Sequence, residues 1–345
     1  ARLAVLFSGV LPWTYAFIHG SFGTSLFAEA LFPGMVLVLL SLVSLPFDAW
    51  FHFRIEEKHG FNRQSARLWI LDRVKGFVLS ALLFYPLFLL LLALVGWTGK
   101  FWWVWGFAVV SAFQILMMMV APRWIMPLFN KFEALPEGAL REKLFALAKR
   151  TGFPAGEIQV MDGSKRSAHS NAFFTGLGKI RKIVLFDTLL KQLSDDELES
   201  VLAHEIGHYR LGHIRKRLVF SFAATLVGFF GIYFLSGQEW FYSAFGFDKA
   251  AATAHSLAPA FLLTALASPA FLYWFTPLSN LFSRKHEYEA DAFAREAMGT
   301  PDGLIRALHK LAENNLSQLD PDPVYSAFYY SHPALPEREK SLRDG

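Results

Sequence analysis

The feature of this 345-residue sequence that most constrains its fold is a series of long stretches without any charged side chain. A helix needs about 20 apolar residues to cross the hydrocarbon core of a bilayer. Six stretches approach that length, at 3–18 (with a Gly-rich continuation to 28), 30–47, 76–99, 101–122, 218–236 and within 251–283. Only 18% of the residues are charged, against roughly 25% in soluble domains. The sequence therefore predicts a multi-span, predominantly α-helical membrane protein.

The first stretch is the least certain membrane span of the six, because a cleaved signal peptide would also be apolar. Only Arg2 precedes it, however, and no short polar segment follows it. Signal peptides carry a basic N-terminal region and a polar, small-residue cleavage site. We therefore interpret 3–18 as a membrane span.

Basic residues are concentrated in alternate segments between these spans. They gather in 48–75, 123–217 and 284–345, whereas the loops at 19–29, 98–100 and 237–255 carry at most one Lys or Arg each. Six spans place all three basic segments on the same side, which the positive-inside rule assigns to the cytosol. Residue 1 then also lies in the cytosol, which leaves room for a further span before it. The net charge of +4 thus reflects topology, and without a base-reading motif we expect no nucleic-acid partner.

The spans divide the chain into four segments. Residues 1–122 hold the N-terminal spans and the loop 48–75, residues 123–217 form a polar block, residues 218–283 hold two spans, and residues 284–345 form a polar tail. The polar block predicts an α/β insert, with a helix after Pro136, strands at 158–160 and 182–186, and an edge strand at 170–174. Ser194 and Glu197 have capping-box spacing and predict the start of a helix that continues past His208.

That helix carries the motif His204-Glu205-Ile-Gly-His208. Two His residues four positions apart lie on one helix face and can bind a single Zn²⁺, while the adjacent Glu can reach a water molecule. The chain has no Cys, so a metal must be held by His and carboxylate groups. The alternative is a polar helix face with coincidental histidines.

A catalytic zinc site needs a third protein ligand. His213 follows His208 by five residues, and we expect it to point elsewhere. The metzincin pattern is excluded by Leu211 and Ile214, which stand where that pattern requires Gly and His. The remaining candidates lie on the far side of the last span.

Glu287 and Asp291 are four residues apart and so share one helix face. Glu287 can then bind zinc while Asp291 orients a ligand histidine. Glu289 points about 200° away from Glu287 at 100° per residue and ranks below it. The alternative is a solvated helix face that forms ion pairs with Arg284 or Arg295.

Together these motifs resemble the M48 zinc peptidases, and more narrowly their integral-membrane CAAX prenyl proteases of Ste24 type. Further matching stretches are IEEKHGF at 55–61, PLFNK at 127–131, SNA at 170–172, IVLFDTLL at 183–190 and YSHP at 330–333 with Glu337-Arg338. The resemblance covers about residue 30 to the end of the chain. The short loop 237–255 is more similar to bacterial members than to eukaryotic ones.

The resemblance implies a helical barrel of seven spans, six of them visible here, around a water-filled chamber, with a cytosolic zincin-like insert. The missing span would precede residue 1. It also implies one catalytic zinc and a set of site residues. These are the ligands His204, His208 and Glu287, the general base Glu205, the orienting residue Asp291, the substrate-binding Asn171 and Ala172, and His332 and Arg338 near the substrate carbonyl or terminal carboxylate.

The expected reaction is zinc-assisted hydrolysis of a peptide bond near the C terminus of a peptide or prenylated CaaX substrate. Glu205 would move the proton, and His332 would stabilise the oxyanion. The enzyme would contact membrane lipids in a bacterial cytoplasmic membrane, or in the endoplasmic reticulum of a eukaryote. One alternative is a quality-control zinc protease without prenyl preference, and another is a non-catalytic metal-binding membrane carrier.

Overall fold

The computed structural model describes residues 2–175 and 182–344, and the described part is mostly helical. Its α-helices are Arg2–Phe7 (α1), Val10–Phe22 (α2), Leu26–Trp50 (α3), Ala66–Thr98 (α4), Trp102–Val120 (α5), Ala139–Arg150 (α6), Asp187–Gln192 (α7), Asp195–Arg210 (α8), His213–Ser236 (α9), Glu239–Ser243 (α10), Lys249–Thr253 (α11), Ala258–Leu272 (α12), Thr276–Met298 (α13), Asp302–Asn314 (α14), Pro323–Tyr329 (α15) and Leu335–Asp344 (α16). Its strands are Phe132–Ala134 (β1), Glu157–Met161 (β2), Ala172–Thr175 (β3) and Lys182–Phe186 (β4).

The chain forms two compact units, each built from several separate segments. The first unit contains residues 1–55, 65–114 and 220–274, and the second contains 56–64, 115–219 and 275–345. The first unit is helical in its described part, and all four described strands belong to the second. The predominantly α fold with an α/β insert is therefore confirmed, whereas the four-segment division of the sequence stays a prediction.

Four helical runs of the described residues are long and apolar enough to cross a membrane. They are Leu26–Glu56, Ala66–Leu128, His213–Ser236 and Ala258–Met298. The second run has 63 residues and contains two predicted spans, as α4 and α5. A 3₁₀ turn at Gly99–Phe101 separates those helices, and Gly99 has φ +53°, which favours glycine. Five of the six predicted stretches thus lie in these runs.

The prediction of one continuous span over 3–18 needs correction. The structure divides this stretch into α1 and α2, because Gly9 adopts a left-handed conformation with φ +74° between them. The 13 residues of α2 extend about 20 Å, less than the roughly 30 Å of a hydrocarbon core. Hydropathy detects the apolar character of such a stretch but not the helix break inside it.

The first unit has an apolar interior and an apolar exterior. Leu11, Ile18 and Phe32 are fully buried in its core. On the outside, large apolar side chains on α4 and α9 remain exposed, including Leu82 at 68% and Val227 at 69%. Soluble proteins rarely expose apolar surface so extensively, so a hydrocarbon environment suits these helices.

The second unit is organised around a four-stranded sheet in the order β1-β2-β4-β3. β2 and β4 run parallel, and the other two pairs are antiparallel. Ile158, Ile183 and Leu185 of the sheet share one core with Leu144 of α6 and Leu202 of α8. The predicted helix after Pro136, the strands around 158–160 and 182–186, and the edge position of β3 are confirmed, and β1 was not predicted.

The start of helix α8 is set by its capping box, and its packing against α13 depends on a glycine. The predicted capping box is present, with the Ser194 backbone N–H donating to Glu197 Oε2 at 2.8 Å. Where α8 meets α13, Gly207 lies so near that an added Cβ would be 3.1 Å from the backbone of Ala290. This glycine, inside the HExxH motif, permits the close helix approach that brings the motif beside Glu287.

Candidate metal centre

Three candidate ligand atoms converge between α8 and α13. His204 and His208 stand one turn apart on α8 and direct their Nε2 atoms toward the carboxylate of Glu287 on α13. The Nε2 atoms are 3.2 Å apart. His204 Nε2 lies 3.5 Å from Glu287 Oε2, and His208 Nε2 lies 3.4 Å from Glu287 Oε1. Glu287 is only 2% exposed and His204 only 7%. The three residues can each offer one donor atom to a common metal ion.

These separations fit a tetrahedral zinc site. Ligand atoms at 2.0–2.1 Å from a tetrahedral ion are about 3.3 Å from one another. The two imidazole nitrogens are 3.2 Å apart, close to that value. Each of them lies 3.4–3.5 Å from a different oxygen of Glu287, either of which can serve as the third donor. Two imidazole nitrogens and one carboxylate oxygen are also the donor set of a catalytic zinc with an open coordination position.

The surroundings of His204 favour a positive charge at this position. Burial alone would lower the pKa of His204, but its hydrogen bonds to Asp291 and Glu287 raise that pKa to about 9. Since the two carboxylates stabilise a proton on the ring, they also stabilise a metal cation that replaces it.

Asp291 orients His204 and is itself fixed by Arg338. Its Oδ1 lies 2.8 Å from His204 Nδ1, which leaves His204 Nε2 free to face the metal position. Arg338 donates from Nε to Asp291 Oδ2 at 2.8 Å and from Nη2 to Oδ1 at 2.5 Å. Asp291 is 1% exposed and Arg338 9%, so the pair is a buried bidentate ion pair.

Glu205 lies between the two histidines in sequence and lines the cavity beside them. Burial raises the pKa of its carboxyl group, and the nearby Glu287 raises it further, while His204 and His208 oppose the shift. A carboxylate with a raised pKa is a stronger proton acceptor, which suits a general base.

The cavity next to the metal position has a volume of about 720 Å³. The predicted residues Asn171, Ala172, His332 and Arg338 all line it, together with the candidate ligands and apolar side chains of α14. A volume of this size accommodates several residues of an extended peptide.

His332 is exposed to the cavity, whereas Arg338 is buried in an ion pair. His332 is 64% exposed by side chain, and its Nε2 lies 3.5 Å from Glu287 Oε1, so it can reach a substrate group at the metal position. Two donor groups of Arg338 are occupied by Asp291, and its Nη1 lies 3.7 Å from Glu287 Oε2. These contacts give Arg338 a positioning role that the sequence did not predict, and its contact with substrate stays a prediction.

The expectation that His213 points away from His208 is wrong. The two Nδ1 atoms are 2.9 Å apart, and His213 Nε2 lies 2.8 Å from Glu289 Oε2. α8 ends at Arg210, and the chain turns through Gly212 at φ +71°, so helical spacing does not apply to His213. The signal for this contact was the glycine immediately before His213.

Comparisons with known proteins find similar sequences and a similar structure. Residues 134–345 match the model of peptidase family M48, and residues 1–131 match the model described as "CAAX prenyl protease N-terminal, five membrane helices". CAAX prenyl protease 1 of Saccharomyces cerevisiae is 39% identical over 98% of this chain and 76% of its own length. The CAAX prenyl protease 1 homolog of Oryza sativa is 38% identical over 99% of this chain and 80% of its own length.

The crystal structure of S. mikatae Ste24p has a similar fold. Its TM-score is 0.89 at 36% identity, over 97% of this chain and 81% of that structure. The named relatives are eukaryotic, which gives no support to the bacterial source that the short loop 237–255 predicted.

Proposed function

The chain belongs to peptidase family M48, as an integral-membrane metalloprotease, and on that premise we propose that it uses one zinc ion to hydrolyse peptide bonds near the C terminus of CaaX-type substrates. His204, His208 and Glu287 would hold the ion. The observation that carries this proposal is the convergence of the His204 and His208 Nε2 atoms, 3.2 Å apart, on the carboxylate of Glu287 at 3.4–3.5 Å, beside a half-buried Glu205 in a cavity of peptide size.

When bound, Zn²⁺ supplies Lewis-acid polarisation of a carbonyl oxygen and lowers the pKa of a water molecule. Glu205 accepts the proton of the attacking water and passes it to the leaving amine nitrogen, so that the C–N bond breaks to a carboxylic acid and an amine. The raised pKa of Glu205 fits both halves of this transfer, because the group must first accept the proton and then release it.

His332 is the proposed donor to the developing oxyanion. Its exposed ring lies 3.5 Å from Glu287 Oε1, close enough to the candidate ligands to reach a carbonyl oxygen there. Ser331 Oγ lies 3.0 Å from His332 Nδ1, which leaves Nε2 available to the substrate. Hydrogen-bond donors fixed in this way typically contribute most to transition-state stabilisation.

β3 is the proposed docking strand for the substrate backbone. The Phe186 N–H donates to the Asn171 carbonyl at 3.0 Å, so the backbone groups of Asn171 face β4 and those of Ala172 face the other edge. An extended peptide can add to that edge as a further strand. The Ala172 N–H donates to Asn171 Oδ1 at 2.8 Å, so this side chain must move when a substrate carbonyl binds.

The membrane position follows from charge and apolar surface. The basic segments 48–75, 123–217 and 284–345 would lie on the cytosolic side, together with the metal centre. Membrane lipids would contact the exposed apolar faces of α4 and α9. The proposed membrane is that of the endoplasmic reticulum for a eukaryotic source and the cytoplasmic membrane for a bacterial one.

Paired peptide cleavage tests the substrate class. The purified protein is given a farnesylated CaaX peptide and the same peptide without the prenyl group, and zinc is quantified in the same sample. We expect much faster cleavage of the farnesylated peptide by protein with one zinc per chain. Equal cleavage of both peptides would contradict the substrate proposal and favour a quality-control protease without prenyl preference.

A further inference from the structure

The two ligand histidines differ in what their Nδ1 atoms contact. His204 Nδ1 lies 2.8 Å from Asp291 Oδ1, whereas His208 Nδ1 lies 2.9 Å from another imidazole nitrogen, Nδ1 of His213. His213 is 1% exposed, and its Nε2 lies 2.8 Å from Glu289 Oε2. A continuous chain of hydrogen-bonding groups therefore runs from the metal position to Glu289.

A count of the ring protons determines which atom donates and which accepts in each of these hydrogen bonds. Two neutral imidazoles have four ring nitrogens and two protons. If His208 Nε2 binds zinc, its Nδ1 must carry the proton that it donates to His213 Nδ1. The second proton must then be on His213 Nε2, which donates it to Glu289. In this arrangement each N–H donor faces an acceptor atom.

We propose that His213 and Glu289 form a relay that positions His208 as a zinc ligand, in parallel with Asp291, which orients His204. His213 and Glu289 are positioning residues, since in this order both ring nitrogens of His213 are engaged by His208 and Glu289 and not by the metal. The inference rests on the proposed zinc site and adds two residues to it. The relay holds the His208 ring in the tautomer that exposes Nε2, and the Glu289 carboxylate increases the basicity of the ring through His213.

The same proton count argues against a second metal ion at this place. His213, His286 and Glu289 form a second group whose donor atoms lie within 4.8 Å of one another. His286 stacks on His213 with ring centroids 4.0 Å apart. A metal on His213 Nε2 would need a lone pair there, but that nitrogen carries the proton when His208 binds zinc. Lys216 and Lys285, at 4.0 Å and 3.8 Å from the Glu289 carboxylate, would also repel a cation.

The test compares zinc affinity among variants of the full chain, purified in detergent, by competition of Zn²⁺ with a chromophoric chelator at fixed pH. His213→Phe keeps an aromatic ring against His286 but removes both hydrogen bonds, and Glu289→Ala removes the terminal acceptor. We expect each to weaken zinc binding by about 10–100-fold, the usual effect of losing a group that orients a ligand.

Two further variants separate the relay from packing. His286→Phe preserves the stacking and leaves the relay intact, so its zinc affinity should equal that of the wild type. His213→Gln retains the order of groups, because its carbonyl can accept from His208 and its amide can donate to Glu289. Its affinity should therefore be nearer to wild type than that of His213→Phe.

The outcomes are distinguishable. Wild-type zinc affinity in both His213→Phe and Glu289→Ala would overturn the relay and leave the proposed function intact. Two zinc ions per wild-type chain and one in His286→Phe would replace the relay by a second metal site. A wild-type chain that binds no zinc would instead refute the proposed function itself. Glu289 is partly exposed, with 34% of its side chain accessible, so its substitution tests the relay even if His213→Phe does not fold.

Discussion

Replacement of Asp291 by Asn tests how the site holds its first histidine. The substitution keeps the shape of the side chain but removes the charge that receives one contact from His204 and two hydrogen bonds from Arg338. Both partners are buried, so Arg338 would lose its bidentate partner in the interior and keep only the longer contact of its Nη1 with Glu287 Oε2, at 3.7 Å. Loss of one member of a buried ion pair costs about 3–5 kcal/mol of folding free energy.

We also expect the zinc affinity of Asp291→Asn to fall by about 10–100-fold, because His204 loses the carboxylate that fixes its tautomer. The assay combines thermal unfolding in detergent with chelator competition for zinc. A second variant, Asp291→Leu with Arg338→Met, removes both charges. Since replacing a whole buried pair by apolar groups is often nearly neutral, it should be more stable than Asp291→Asn while still binding zinc weakly.

The result that would refute this reasoning is an Asp291→Asn protein with wild-type unfolding behaviour and wild-type zinc affinity. A double variant less stable than Asp291→Asn would also contradict it, because the destabilisation would then not come from the loss of the bidentate partner of Arg338. Recovery of stability without recovery of zinc affinity is the pattern that the contacts predict.

Two other substitutions test the ligand set and the helix packing. Glu287→Ala should lose zinc on dialysis against chelator, because it removes one of the three donor atoms, and full retention would point to another ligand. Gly207→Ala should destabilise the protein by about 1–3 kcal/mol, the usual cost of overpacking, since its Cβ would meet the backbone of Ala290 at 3.1 Å. Gly228→Ala is the matched control in thermal unfolding, because an added Cβ there meets nothing within 4 Å; equal melting temperatures of the two variants would contradict the packing argument.

Much of the site could be predicted because its residues recur at helical spacing. His204 and His208 are one turn apart on α8, and Glu287 and Asp291 are one turn apart on α13, so each pair shares a face whatever the tertiary structure is. The long uncharged stretches likewise predicted the membrane helices from length alone. Helical spacing is enough for the first inference, and the length of the apolar stretch is enough for the second.

The contacts that the sequence did not predict depend on chain turns or on distant partners. Gly9 breaks the first apolar stretch, and Gly212 turns His213 back toward His208, and neither effect follows from hydropathy. The partner of Arg338 lies 47 residues away in sequence, so its ion pair with Asp291 requires the packing of α13 and α16. Such contacts follow from tertiary structure, which one sequence read locally does not contain.

The most direct test of the central claim is Glu205→Gln in the purified full chain, with zinc content and CaaX peptide cleavage measured on the same preparation. Gln keeps the size of the side chain but cannot accept the proton of the attacking water. We expect one zinc per chain, unchanged thermal unfolding and loss of cleavage. Cleavage at the wild-type rate by Glu205→Gln would contradict the proposed mechanism.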